Sequence, residues 1–148
     1  MNKKKRILVS ACLLGKACRY DAKSKPCEHV IALSDKYELV AICPEADGGL
    51  PTPRTPSERV GDRVIMHDGT DVTDYYKNGA LLACELCRKN RINTAVLKAR
   101  SPSCGKGGIY DGTFSGRIVN GNGVTTEMLI AMGVKVFTDE EILELKDF

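Results

Sequence analysis

Four short, unbroken apolar runs, set apart by stretches with helical periodicity, constrain this chain more than any other feature. They are Ile7-Leu8-Val9, Leu39-Val40-Ala41-Ile42, Ala95-Val96-Leu97 and Val134-Lys135-Val136-Phe137. Runs of three or four apolar residues are too short for helices. Continuous rather than alternating apolarity marks strands covered on both faces, as in a parallel sheet. Pro26 to Lys36 reads as a helix with Pro26 and Glu28 suited to its first turn. Asp71 can cap a long helix running to about Asn90, with an apolar stripe at Val72, Tyr76, Ala80, Ala83 and Cys87. Thr125 to Met132 is a third helix, stopped by Gly133. Thr138 and Glu141 have the spacing of a capping box for a last helix.

Strand–helix alternation of this kind predicts an α/β fold. The expected architecture is a single small domain over residues 1–148. It has a mostly parallel four-stranded sheet in the order 2-1-3-4, right-handed crossovers and helices on both faces, of the Rossmann or flavodoxin type. Two segments fall outside the alternation. Residues 45–71 are rich in Pro and Gly, with a hairpin expected around His67-Asp68-Gly69, and residues 101–123 form a long glycine-rich loop.

The net charge of +3 is small, and much of the excess sits in Lys3, Lys4, Lys5 and Arg6. Residues 1–5 read as a flexible basic arm, and the near-neutral remainder gives no strong nucleic-acid signal. The basic start followed by Ile7-Leu8-Val9 and Ser10-Ala11-Cys12 imitates a secretion signal, but its apolar core is far shorter than the roughly 7–15 residues required. No run approaches the roughly 18 apolar residues of a membrane span. A cytoplasmic location is expected. The seven cysteines are then reduced, and serve as core residues, metal ligands or redox groups.

Their placement is informative. Cys12, Cys43 and Cys104 each follow one of the first three strands. In a parallel sheet these positions share the carboxyl edge, where open α/β sheets bind ligands. Three thiolates gathered there repel one another unless a cation neutralises them, and sulfur donors select zinc, copper(I) or iron–sulfur. The residues alone leave two readings open, a shared metal site or three small apolar packers.

The surrounding strings are more specific. They are Ser10-Ala11-Cys12-Leu13-Leu14-Gly15, Arg19-Tyr20-Asp21, Cys43-Pro44-Glu45-Ala46-Asp47-Gly48-Gly49-Leu50-Pro51-Thr52-Pro53-Arg54, Ser101-Pro102-Ser103-Cys104-Gly105 and Tyr110-Asp111-Gly112-Thr113-Phe114-Ser115-Gly116. In this order, from about Ile7 to Val136, they resemble the thiouracil desulfurase family. The resemblance implies a [4Fe–4S] cluster on three cysteines matching Cys12, Cys43 and Cys104, with one iron open. It implies a small thiolated pyrimidine as substrate, whose sulfur binds that iron and is replaced by water to give uracil and sulfide without redox change. It further implies catalytic roles for the residues matching Glu45 and Ser101. The chain departs from the family pattern at Ala22, where glycine is usual, and at Cys18 and Cys27, where no cysteine is expected.

Two other functions compete with this reading. The same cysteines could hold zinc for structure or storage. Cys84-Glu85-Leu86-Cys87 could serve a thiol redox reaction or sulfur transfer, but it falls deep inside the long helix, away from the N-terminus that activates such pairs, and Cys87 is on the apolar stripe. Core packing is the expectation for both thiols. Gly105-Lys106-Gly107-Gly108 lacks the ending of a phosphate loop, and its sharper reading is a lid closing over substrate.

Overall fold

A computed structural model describes residues 4–144. Four strands form a sheet: β1 (Lys5–Ser10), β2 (Tyr37–Ile42), β5 (Thr94–Leu97) and β8 (Lys135–Thr138). All neighbours pair parallel, in the order β2-β1-β5-β8. This is the expected order of the four apolar runs. β1 begins at Lys5, paired with Tyr37, two residues before its apolar part. The predicted arm therefore ends sooner, since Lys4 already donates to the Ser34 carbonyl at 2.8 Å. Residues 1–3 lie outside the described residues.

Unbroken apolarity in the central strands β1 and β5 has the anticipated cause, whereas the edge strand β2 leaves Ala41 exposed. Along β1, Ile7 and Val9 pack with Val30, Val96 and Ile142 on one face. Leu8 packs with Ala83, Cys87, Leu97, Leu129 and Val136 on the other. The second face is covered by α3 (Thr73–Asn90) and α4 (Val124–Ala131). The first is covered by α1 (Glu28–Ile31), which tightens into a 3₁₀ turn over Ala32–Asp35. The stretch expected as one helix from Pro26 is thus shorter. Pro26 and Cys27 precede it in extended backbone, and after one α-turn the chain continues with the tighter hydrogen-bond ladder.

The N-cap of α3 is Val72, one residue later than expected, and Asp71 acts just before it: its Oδ1 accepts the Thr73 N–H at 2.9 Å and the Thr73 hydroxyl at 2.6 Å. Gly133, at φ 93°, follows α4. Thr138 and Glu141 exchange the two bonds of a capping box at 3.1 and 3.0 Å. What they open is a 3₁₀ turn, Glu141–Glu144, and the rest of the last predicted helix falls on residues outside those described.

Both irregular segments contain hairpins. β3 (Ser57–Val60) and β4 (Arg63–Met66) pair antiparallel around Gly61, with φ 58°. The predicted turn at His67-Asp68-Gly69 follows as a separate reversal, in which the Met66 N–H donates to Thr70. Inside the glycine-rich loop, β6 (Gly108–Tyr110) pairs with β7 (Ile118–Asn120). Among the described residues no helix is long and apolar enough to cross a membrane.

One close contact fixes the end of β2 against α3. The short helix α2 (Pro44–Asp47) packs on α3 backbone to backbone. A β-carbon on Gly79 of α3 would collide with the Pro44 carbonyl, and one on Gly48 with the Tyr75 carbonyl. Only hydrogen at both positions lets the end of β2 sit this close to α3.

Candidate functional site

The carboxyl edge of the sheet holds a cavity of about 560 Å³ lined by Cys12, Cys43, Cys104, Glu45 and Ser101 together. Residues far apart in sequence converge there because each follows a parallel strand. Cys12 sits in a 3₁₀ turn, Ala11–Leu14, that leaves β1 and is closed by Gly15 at φ 102°. Cys43 is the extended residue before α2, with Pro44 fixing the first helical position. Cys104 ends a turn organised by Ser101, whose Oγ accepts the N–H groups of Ser103 and Cys104, both at 3.1 Å.

The thiols differ in electrostatics. Burial, then the neighbouring Cys43 sulfur, pushes the Cys12 thiol up to about 11, against the opposing charges of Lys98 and Arg19. Burial pushes Cys104 up to about 12, although Ser10 and Ser103 hydroxyls hydrogen-bond its sulfur. Cys43 goes the other way, down to about 7, because the Cys18 thiol donates to its sulfur and the Ala46 N–H of α2 points at it. Cys18 correspondingly holds its proton, pushed up by that bond and by burial.

Glu45 lies in the first turn of α2 and is gripped from three sides. Arg54, its side chain only 3 % exposed, meets Oε1 at 3.2 Å. The Ser103 hydroxyl donates to Oε2 at 3.0 Å, and the Ser101 hydroxyl reaches the same oxygen at 3.4 Å. Ser101 and Ser103 hydroxyls are themselves 2.9 Å apart. Beneath Glu45 lies Tyr76, whose phenol is pushed up by burial and by the Glu45 charge.

Several of these groups escaped the sequence reading. Arg54 binds Glu45, the Pro51 carbonyl at 3.2 Å, Thr52 Oγ1 at 2.9 Å and the Cys18 carbonyl at 2.9 Å. It joins the loop after β1 to the start of α2. Ser103 makes a shorter bond to Glu45 than Ser101 does. Cys18 is buried beside Cys43 and lines the same cavity. Tyr76 reads in sequence as one more member of an apolar stripe. The signal for Arg54 and Ser103 was present only as membership of the quoted strings. For Cys18 it was a departure from them.

Cys12, Cys43 and Cys104, with Cys18 on the same cavity, are a soft donor set that fits a thiophilic metal or cluster. Two of them, Cys12 and Cys104, are held protonated by burial, and a bound cation compensates what burial disfavours. Sulfur donors of this kind suit either zinc or an iron–sulfur cluster.

Cys84 and Cys87 belong elsewhere. Both are buried in the core between α3 and the sheet. Burial raises Cys84, and burial followed by Cys84 pushes Cys87 up to about 11. Neither thiol is activated, in line with the packing expectation. His29 and His67 are exposed, and neither lines the cavity.

Comparison with known proteins gives concordant results. The model of a family described as 2-thiouracil desulfurase matches residues 7–141. The uncharacterised protein YbbK of Bacillus subtilis (strain 168) is 37% identical over 149 residues, covering 94% of this chain and 99% of that protein. A solved structure of a [4Fe-4S]-dependent thiouracil desulfidase, TudS, superposes with a TM-score of 0.90 at 46% identity, covering 96% of this chain and 95% of that one.

Proposed function

Since the chain belongs to the 2-thiouracil desulfurase family, we propose that it removes sulfur from thiolated pyrimidines, with a [4Fe–4S] cluster held by Cys12, Cys43 and Cys104. The observation that carries this reading is the convergence of those three thiols on the cavity that also holds Glu45. Bound there, the cluster would supply a Lewis-acidic iron with a free position for the substrate sulfur.

The remaining chemistry is the work of this chain's own side chains. Replacing C=S by C=O needs a water oxygen at the ring carbon, removal of its protons, and departure of sulfide. No electrons are exchanged. Glu45 is the group suited to take the first proton: its carboxylate faces the cavity and is fixed by Arg54 on Oε1 and Ser103 on Oε2. With one proton accepted on Oε2, the Ser103 hydroxyl is free to turn its own hydrogen to Cys104 or Ser101, 3.6 and 2.9 Å away. Ser101 fixes the turn that presents Cys104 and shares the Glu45 oxygen, so it both positions and polarises. Lys98 and Arg19 add positive charge near Cys12, which favours thiolate at that position and the anionic sulfur that leaves.

The test is anaerobic reconstitution followed by iron, acid-labile sulfide and activity measurements. About four iron and four sulfide per chain, with sulfide released from 2-thiouracil and uracil formed in equal amount, is the expected result. Zinc in place of iron, or a brown protein that leaves every thiolated pyrimidine intact, would overturn it.

A further inference from the structure

Strand β3 grips the glycine-rich excursion over the cavity at two points. Glu58, 9 % exposed, sends its carboxylate to the turn that joins β6 and β7. Oε1 accepts the N–H of Gly112 at 2.9 Å and that of Phe114 at 3.1 Å. The next residue, Arg59, holds the other leg of the excursion. It donates to the Asn122 carbonyl at 2.8 Å and pairs with Glu127 of α4 at 2.6 Å. The turn lies directly on β3: Gly112 has φ 96°, and a β-carbon there would collide with Val60.

The turn is closed by its own hydrogen bonds. Asp111 Oδ1 accepts both the N–H and the hydroxyl of Thr113, at 2.9 and 2.6 Å. Phe114 adopts φ 56°, a left-handed conformation that a bulky side chain takes only when its surroundings impose it. Two contacts impose it here, the Glu58 bond to its own N–H and the ring of His67 with centroids 4.8 Å apart. Glu58, Tyr110, Phe114 and Gly116 all line the cavity that holds the cysteines.

We infer that Glu58 is a positioning residue: by holding the 111–116 turn it fixes Phe114 as the wall against which the flat ring of the substrate lies. The inference rests on the thiolated-pyrimidine reading for the identity of that ring, and on the hydrogen bonds alone for the clamp. The excursion is accordingly a fixed wall rather than a lid that opens and closes. An aromatic ring presented at constant height favours planar heterocycles by stacking and rejects bulky non-planar thioamides.

The experiment compares wild type, Glu58→Ala, Glu58→Gln and Phe114→Ala, all anaerobically reconstituted. In Glu58→Ala, amide hydrogen exchange at Gly112 and Phe114 should accelerate about tenfold, since two hydrogen bonds are removed. KM for 2-thiouracil should rise by a similar factor, while kcat stays within about twofold and iron content is unchanged. Glu58→Gln keeps the accepting oxygen and should restore both readings to near wild type. Phe114→Ala leaves the clamp and should raise KM alone, which decides the wall's role even where Glu58→Ala folds poorly. Unchanged exchange in Glu58→Ala overturns the clamp. Unchanged KM in Phe114→Ala overturns the wall. Should wild type carry no cluster and release no sulfide, the proposed function fails, yet the exchange comparison still decides whether Glu58 holds the turn.

Discussion

Two groups of cysteines lie within this small fold, and almost everything about them differs. Cys84 and Cys87 are near neighbours in sequence, on one helix, with burial raising both thiols. Cys12, Cys43 and Cys104 are distributed along the chain and meet at the open edge of the sheet, where Cys43 is lowered to about 7 and the others are raised. The compact motif catches the eye in a sequence, but a helix interior offers no free N–H to a sulfur. The scattered set is hard to see, yet strand ends and the backbone after them supply donors, a cavity and neighbouring charges. Proximity in sequence is therefore a poor guide to which thiols can do chemistry. What each thiol's backbone leaves unpaired is a better one.

The sharpest way to break this contrast is substitution. Cys12→Ala, Cys43→Ala or Cys104→Ala should each lower iron content severely and reduce sulfide release by roughly 100-fold or more, a ligand loss exceeding the 10–100-fold typical of second-layer partners. Cys84→Ala and Cys87→Ala should leave iron and turnover intact. If either helix variant lost the cluster, the division of roles would be wrong.

Glu45→Gln separates chemistry from cofactor binding. Turnover should fall about 10²–10⁴-fold, the usual contribution of general acid–base groups, at unchanged iron content. A fall in iron to match would instead make Glu45 part of the scaffold.

Arg54→Ala tests how the open edge is kept rigid. It strips the partner from a largely buried carboxylate and from the Cys18 and Pro51 carbonyls. A loss of about 3–5 kcal/mol in urea unfolding is expected, as for one half of a buried ion pair. Cys87→Ala should cost less, about 1–2 kcal/mol, as a small cavity in the core.

The mildest test is alkylation of the metal-free protein across pH. Cys43 should gain reactivity between about pH 6 and pH 8, because the thiolate fraction grows as pH rises through about 7. Cys12 and Cys87, both near 11, should show no such rise in that window. Peptide mass mapping reads each site separately. Equal labelling of Cys43 and Cys12 at pH 7 would remove the distinction.

Much of this was legible in the sequence where signals are local. The four apolar runs, the Asp71–Thr73 start of α3 and the Thr138–Glu141 box each depend on neighbours within a few residues. Sheet order matches the 2-1-3-4 expected of a doubly wound fold, and the three cysteines expected at strand ends do line one cavity. What stayed hidden depends on contacts across long stretches of chain. Arg54 reaches Cys18, Glu58 reaches Gly112 and Phe114, and Ser103 reaches Glu45. Nothing in the residue types around Glu58 distinguishes it from a solvated strand acid. Cys18 was visible only as an oddity, and its pairing with Cys43 becomes apparent once the loop after β1 folds back, with the Lys25 N–H on the Cys12 carbonyl at 3.0 Å.

With Cys12, Cys43 and Cys104 as the proposed ligands, their scattering along the chain also sets the timetable of maturation. A local motif such as Cys84–Cys87 is complete as soon as four residues have left the ribosome. Here the first two thiols are made early, but the third belongs to the stretch after β5 and stays absent until more than two-thirds of the 148 residues have been synthesised. Through that interval Cys12 and Cys43, with Cys18 beside them, precede the strand-end thiol of Cys104. On the proposed ligand set, loading of the cofactor is a late event that waits for Cys104.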